Sequence, residues 1–308
     1  MAITGTGTQA DPFVVTTYSE LVSKITNPDS LSECYIKVGN DIDIAEEYPF
    51  GDMPVLDFGA NVFLDGDGKT ITNWYYTGTE TYVIKISGKT SKPSWMKNLH
   101  LANIVSKSSD ANAKFLYVDG ESSAVTRLCI ENCTFVGIFF TLVMQITSGS
   151  LNTIALRSCA FNVLLKSSSK FNRTSSSCLG FESCNIRIVS ESNVPSYLLS
   201  NGGSGLGYPH NCYFDISIPN GSTSSNTTIS DSYYDNCVIK LTTPLGSTAS
   251  SKAKFGASSS SYNVSIINTS NATGVEPSSP TQIKEVTDQN WHDIAYLQSI
   301  GFNAGERT

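Results

Sequence analysis

Three acidic residues occupy equivalent places in a recurring sequence pattern, and paired carboxylates are the groups that cleave glycosidic bonds. Glu131, Glu182 and Asp235 each stand directly before an Asn-Cys or Ser-Cys pair. Glycoside hydrolysis needs two carboxyl groups roughly 5–9.5 Å apart. If the chain is an enzyme, these three residues are its candidate catalytic groups.

The pattern that carries these acids occurs eight times. Each copy has a polar residue, then mostly Asn or Ser, then an apolar residue, and the third residues lie 25 to 34 positions apart. Repeats of this length are typical of solenoids, propellers and arrays. The copies are Lys69-Thr70-Ile71, Lys97-Asn98-Leu99, Glu131-Asn132-Cys133, Arg157-Ser158-Cys159, Glu182-Ser183-Cys184, His210-Asn211-Cys212, Asp235-Asn236-Cys237 and Tyr262-Asn263-Val264.

The repeat unit has the periodicity of a strand. Apolar residues alternate after each pair, as at Cys212, Phe214 and Ile216, and a second apolar run recurs between copies, as at 82–86 and 142–146. A period of two indicates a strand with one buried face, and helical repeat families are disfavoured. We predict a parallel β-helix of eight to nine turns, about 40 Å long at roughly 4.8 Å a turn.

The Asn or Ser position has a physical explanation. A β-helix bends sharply between strands, and Asn tolerates the left-handed backbone region better than most residues other than Gly. Stacked Asn amides can also hydrogen-bond from one turn to the next. The cysteines that follow the bend are then expected to point inward, as buried thiols rather than disulfides.

This Asn-Cys-x-Phe ladder, from roughly Val38 to Asn268, resembles the right-handed parallel β-helix superfamily, which includes pectate lyases and phage tailspikes. The resemblance implies an all-β, single-stranded right-handed parallel β-helix. We expect an N-terminal entry and cap at 1–36, the β-helix at 37–270, and a C-terminal linker and helix at 271–308.

Both ends carry signals of a cap. Thr17-Tyr18-Ser19-Glu20 is a capping box before a short amphipathic helix. Near the C-terminus, residues 288–300 have the pattern of an amphipathic helix that either covers the last turn or assembles trimers. Its candidate assembly residues are Trp291, Ile294, Leu297 and Ile300.

The residues before each Asn or Ser are expected to form an outward column: Lys69, Lys97, Glu131, Arg157, Glu182, His210 and Asp235. Part of this column alternates in sign, which favours a structural ridge over a catalytic groove. Glu131 and Glu182 are expected about 9.6 Å apart, two turns at the usual spacing. Arg157 lies between them, and its positive charge would favour the ionised form of both carboxyl groups. A general acid must instead hold a proton.

An aromatic cluster is the candidate surface for stacking on sugar rings. It comprises Trp74, Tyr75, Tyr76 and Tyr82. The alternative is partial burial of these residues under the N-terminal cap.

Composition narrows the classes of partner. The net charge of −7, with scattered Lys and Arg, disfavours a nucleic-acid grip. The eight cysteines include no CxxC pair, and Asp65-Gly66-Asp67-Gly68 lacks the continuation of a calcium loop, so we expect no metal and no cofactor. The N-terminus lacks a basic region followed by an apolar core, and no stretch is long enough for a membrane span. We therefore expect synthesis in a bacterial cytoplasm.

Three functions remain open. The favoured one is a non-enzymatic structural protein of a tailed-phage virion, such as a decoration, fibre or spike subunit, with host-surface glycan binding as an added candidate role. The segments Gly5 to Phe13 and Tyr296 to Phe302 resemble the ends of β-helix proteins from phage regions. The resemblance implies a homotrimer in contact with other virion proteins. The alternatives are a polysaccharide depolymerase and a bacterial surface adhesin.

Overall fold

A computed structural model describes residues 3–28, 31–51, 53–59, 61–89, 92–108, 110, 112–120, 127–147, 153–166, 170–174, 179–191, 199–201, 209–218, 237–242, 265–268, 295 and 299. Strands dominate. The α-helix α1 spans Tyr18–Thr26, and a 3₁₀ helix spans Ile44–Glu46. None of the helices described is both long and apolar enough to span a membrane.

The structure describes 23 strands. Their bounds are β1 Phe13–Val15, β2 Cys34–Val38, β3 Ile42–Asp43, β4 Leu56–Phe58, β5 Val62–Thr72, β6 Tyr75–Tyr76, β7 Tyr82–Lys89, β8 Lys92–Pro93, β9 Trp95–Ser106, β10 Lys114–Gly120, β11 Arg127–Glu131, β12 Thr134–Phe139, β13 Leu142–Thr147, β14 Thr153–Arg157, β15 Ala160–Leu165, β16 Asn172–Thr174, β17 Leu179–Glu182, β18 Asn185–Ser190, β19 Leu199–Asn201, β20 Pro209–His210, β21 Tyr213–Ser217, β22 Val238–Thr242 and β23 Ser265–Asn268.

Pairing between these strands makes a parallel β-solenoid with three sides. The first side stacks β1, β2, the start of β5, the start of β9, β11, β14, β17 and β20. The second side stacks β3, the ends of β5 and β9, β12, β15, β18, β21, β22 and β23. The third side stacks β4, β7, β10, β13, β16 and β19. Among the described strand pairs, only β7 and β8 run antiparallel. The predicted fold class is confirmed.

The number of turns differs from the prediction. From β4 to β19 the solenoid makes about five turns, not the predicted eight to nine. The prediction counted every copy of the sequence pattern as a turn. The copies at Cys212 and Cys237, however, have described strands only on the sides next to the bend.

The bend between the first and second sides lies at the predicted residues. Asn98, Asn132, Ser158, Ser183 and Asn211 all have φ between 51° and 53°, in the left-handed region. The first copy is an exception, because Thr70 does not occupy the bend. The register between β5 and β9 shifts between Asp65 and Lys69, and Asp67, with φ of 52°, takes the left-handed conformation instead.

Amide side chains join successive bends. The Nδ2 group of Asn132 donates to Oδ1 of Asn98 at 3.0 Å, and Nδ2 of Asn98 donates to Oδ1 of Asp65 at 3.0 Å. A short polar side chain therefore both tolerates the left-handed backbone and ties one turn to the next.

The cysteines after the bend point into the core, as predicted. Cys133, Cys159, Cys184 and Cys212 are buried, and none of the seven described cysteines forms a disulfide. Each of these four thiols donates to the carbonyl two residues earlier, over 3.2–3.4 Å. A small apolar side chain with a weak donor thus fills the inner corner and contacts the carbonyl that precedes the bend.

Helix α1 packs against the N-terminal turns. The predicted capping box is present in a shifted form: Thr17 Oγ1 accepts from the Glu20 N–H at 3.3 Å, and the Glu20 carboxylate accepts at 2.8 Å from the N–H of Thr16, the residue before the cap. Tyr18 is fully buried, and its ring meets that of Trp74 edge-on at 5.6 Å.

The predicted C-terminal assembly residues, Trp291, Ile294, Leu297 and Ile300, lie outside the described residues. Two of their neighbours, Ala295 and Ser299, are helical and exposed.

Replacement of Asn132 separates the two roles of the bend residue. Asn132→Ala should destabilise the fold by about 2 kcal/mol, because the left-handed backbone is unfavourable for Ala and the side-chain hydrogen bond to Asn98 is lost. Asn132→Gly should cost clearly less, because only the amide bond is lost. Thermal melting followed by circular dichroism measures both. Equal losses would contradict a backbone origin.

Thiol labelling tests the buried ladder. Burial raises the pKa of Cys133 to about 12 and also raises the pKa of Cys159 and Cys212. All seven described cysteines are buried, so they should resist N-ethylmaleimide at pH 8 in the native protein and react in denaturant. Peptide mapping by mass spectrometry reads each site. Rapid native labelling of Cys133, Cys159 or Cys212 would contradict the inward ladder.

Candidate functional site

The outer surface of the first side carries a column of charged residues in consecutive turns. Strand pairing places Lys37 beside Asp65, Asp65 beside Lys97 and Lys97 beside Glu131. The column continues through Arg157, Glu182 and His210. From Lys37 to Glu182 the sign alternates at every step.

Ion pairs link the members of this column. Nε of Arg157 lies 2.6 Å from Oε2 of Glu182, and its Nη1 lies 3.9 Å from Oε1 of Glu131. Nζ of Lys97 lies 3.4 Å from Oδ2 of Asp65. The predicted alternating ridge is therefore confirmed from Lys97 to Glu182.

The prediction that Lys69 is the first member of the column is wrong. Lys69 pairs with Leu99 on the far side of the bend, so it does not join the column. Asp65 occupies the position in the column that was predicted for Lys69, because residues 66–68 are inserted between Asp65 and Lys69. The inserted Asp67 reaches back to Lys37, with 3.1 Å between Oδ2 and Nζ.

Asp65 is the most heavily bonded acid of the column. Burial by itself raises the pKa of Asp65, but hydrogen bonds from Asn98 and from the Asp67 N–H, together with the charge of Lys97, lower it overall. The Asp65 carboxylate thus accepts from the stacked amides at the bend and also belongs to the charged column.

The geometry of Glu131 and Glu182 is that of a ladder rather than a cleft. A glycosidase places its substrate between two carboxyl groups. Here the Arg157 side chain contacts both carboxylates from the intervening turn. The third candidate, Asp235, lies outside the described residues.

The predicted sugar-stacking residues do not share one surface. Trp74 is fully buried, with its indole N–H donating to the Ile71 carbonyl at 2.8 Å, and Tyr76 is 3% exposed. This corrects the prediction for both, because their rings belong to the core. Tyr75 is 46% exposed on the second side, and Tyr82 lies on the third side.

Tyr82 belongs to a compact polar group on the third side. Its hydroxyl donates to Oδ2 of Asp57 at 2.7 Å, and its ring stacks on that of Tyr117 at 6.1 Å. Nζ of Lys85 lies 3.4 Å from the same Asp57 oxygen. Burial, followed by the bond to Asp57, raises the pKa of Tyr82. The hydroxyl and the ring of Tyr82 are thus already engaged, by Asp57 and Tyr117 respectively.

Two further ladders were not predicted. The rings of Tyr35, Phe63 and Trp95 stack along the first side at 4.7 and 5.4 Å between centroids. At a second bend, Asn73 Nδ2 donates to Asp43 Oδ1 at 2.7 Å, and Asn103 Nδ2 donates to Asn73 Oδ1. Asn73 and Asn103 stand 30 positions apart, and this spacing could have revealed the second ladder.

A cavity of about 550 Å³ lies beside the N-terminal helix, lined by Thr16, Thr17, Asn40, Asp41, Ile42, Asp43, Glu46, Glu47, Thr70 and Thr72. Several of its acids already cap backbone groups. Asp41 accepts from the Thr70 N–H at 2.8 Å, and Glu47 accepts from the N–H groups of Tyr18 and Ser19 at 3.0 and 2.9 Å. Within the described ranges, no group of three or more His, Cys, Asp or Glu residues could hold a metal.

Comparison with known proteins assigns neither a family nor an activity. No protein-family model matches the chain, and no curated protein matches it. A Bacteroides ovatus protein provisionally described as an immunoglobulin A1 protease is 15% identical, with a TM-score of 0.45, covering 95% of this chain and 89% of that one. A mutant pectate lyase from Bacillus subtilis is 11% identical, with a TM-score of 0.34, covering 96% and 92%. At these similarities neither match bears on the activity of this chain.

Low pH should remove the contribution of Asp65 to the free energy of unfolding. Its pKa in the folded chain is lowered, so the charged form stabilises the fold fully above the unfolded value of about 3.9 and less as the pH falls through the folded value. Asp65→Asn should therefore destabilise the protein at pH 7, and the gap to the wild type should shrink toward pH 2. Melting curves across this range measure it, with Asp11→Asn as control. A gap that widens in acid would contradict the assignment.

Proposed function

We propose that the protein is a non-catalytic structural β-solenoid. The observation that carries this proposal is the position of Arg157, which bridges the two acids that the sequence offers for glycan cleavage. A guanidinium between two carboxylates supplies cohesion between turns, and it occupies the place that a scissile bond would need.

The outer surfaces support the same role. The ion-pair column, the stacked rings of Tyr35, Phe63 and Trp95, and the Tyr82–Tyr117 pair all run along the solenoid axis. Each side chain thus meets its counterpart in the next turn. Such a surface stiffens a rod, because a bend that stretches one side would pull apart the ladder on that side.

The proposal extends to a place in the particle of a tailed phage. We propose a decoration, fibre or spike subunit that assembles as a homotrimer against other virion proteins after synthesis in the bacterial cytoplasm. Support comes from the resemblance of segments 5–13 and 296–302 to the ends of β-helix proteins from phage regions, and from the solenoid architecture. Mass spectrometry of purified particles from the source bacterium should then detect the chain. Its absence from particles would contradict the virion role.

Loss of the two acids should leave any glycan chemistry unchanged. Glu131→Gln and Glu182→Gln should each alter stability by no more than about 1 kcal/mol, because these ion pairs are partly exposed. Wild type and variants should all release no reducing ends from a panel of bacterial capsular polysaccharides. A wild-type activity that both variants lose would contradict the structural role and favour a depolymerase.

A further inference from the structure

The second side has an outward stripe of apolar residues that runs through successive turns. Strand pairing places Tyr75, Val105, Ile138, Leu164 and Val189 in five consecutive turns. Tyr75 is exposed and the other four are half-buried, while their strand neighbours point into the core. At about 4.8 Å a turn, this second-side stripe is about 19 Å long.

The exposed large apolar side chains of the described residues gather at this stripe. Tyr75, Val136 and Phe140 are 46%, 42% and 36% exposed, and Phe50 is 92% exposed. Tyr75 belongs to the stripe, and Val136 and Phe140 flank Ile138 two residues before and after it. Phe50 precedes Gly51, which packs against the Tyr75 ring. A contiguous apolar patch bordered by polar residues marks an interaction surface.

The two edges of the stripe complement each other. The residues two positions before the stripe are Asn103, Val136, Asn162 and Arg187, and those two positions after it are Lys107, Phe140, Lys166 and Glu191. Turn by turn, this pairs a neutral amide with Lys, Val with Phe, an amide with Lys, and Arg with Glu. No turn sets like charges against each other.

We infer that the stripe is the surface through which copies of this chain associate side by side, parallel and in register. Rotation about an axis parallel to the solenoid brings the early edge of one copy against the late edge of the next at the same turn. Val136 then meets Phe140 of the partner copy, and Arg187, whose side chain is 61% exposed, meets Glu191 of the partner copy. An antiparallel arrangement centred on Ile138, the middle position of the stripe, would instead set Lys107 against Lys166 of the partner copy, which are like charges.

The intrachain ion pairs leave this arrangement intact. Arg187 lies 3.8 Å from Asp215 in the next turn, and Lys166 pairs with Glu191. Both pairs lie on the rim of the stripe, where a partner can extend them into a network across the interface. The inference rests on the proposed homotrimer and not on the virion role.

Light scattering on a single substitution tests the surface. Leu164→Glu, at the fourth of the five positions of the stripe, should weaken association by at least about tenfold while the far-ultraviolet circular dichroism spectrum is kept. Gln145→Glu, a half-buried outward position on the third side, is the matched control and should remain a trimer. A wild-type monomer would overturn both the trimer and the surface. A trimer that Leu164→Glu leaves unchanged would overturn the surface alone.

Cross-linking tests the register even if Leu164→Glu fails to fold. Val136→Cys and Phe140→Cys chains carrying different tags are co-expressed and oxidised. The disulfide should join the two differently tagged chains, and each variant expressed alone should cross-link several-fold less. Cross-linking of either variant alone as efficiently as the mixture, or no mixed product, would overturn the parallel arrangement.

Discussion

The structure depends on the stacking of equivalent residues in register, because every turn places each side chain directly on its counterpart about 4.8 Å away. This constraint is most demanding at the bend between the first and second sides, where the backbone is left-handed. Asn98 and Asn132 satisfy it, since each amide both suits that conformation and bonds to the turn before it. Without this corner the strands on either side would lose their alignment.

The other ladders solve the same problem with different chemistry. Like charges stacked in register would repel, and the column from Lys37 to Glu182 alternates in sign instead. Aromatic rings gain from stacking, so Phe135 lies on Phe161 inside the solenoid at 4.6 Å, and Phe63 lies on Trp95 outside it at 5.4 Å. Among the described residues, the second-side stripe repeats partly exposed apolar residues over five turns, and we propose that a second copy of the chain packs on it.

The fold was predictable because stacking requires the same kinds of residue at equivalent positions of successive turns, and these residues therefore recur in the sequence. The Asn or Ser before each inward Cys predicted the bend, and the alternating residues predicted the strands. The turn count was not predictable, because a copy of the pattern reports one bend and not all three sides. Lys69 was misplaced because an insertion at residues 66–68 moves the left-handed residue away from the pattern.

The candidate site was predictable only in part. The order Glu131, Arg157, Glu182 could be read from equivalent positions, and the ion pairs follow from that order. The aromatic prediction failed for Trp74 and Tyr76, because adjacent residues in a strand-rich chain point to opposite faces and a bend redirects them again. The Tyr82–Asp57 bond joins residues 25 positions apart, and it depends on the pairing of the third side, which no repeated polar pattern marks.

A double-mutant cycle between Asn98 and Asn132 tests the central claim most directly. Glycine at each position keeps the left-handed backbone accessible and removes only the amide. If the stacked amides tie successive turns together, the two substitutions should be coupled by about 1 kcal/mol in the free energy of unfolding. Strict additivity of the two substitutions would contradict the account, because it would mean that each bend holds its shape without its neighbour.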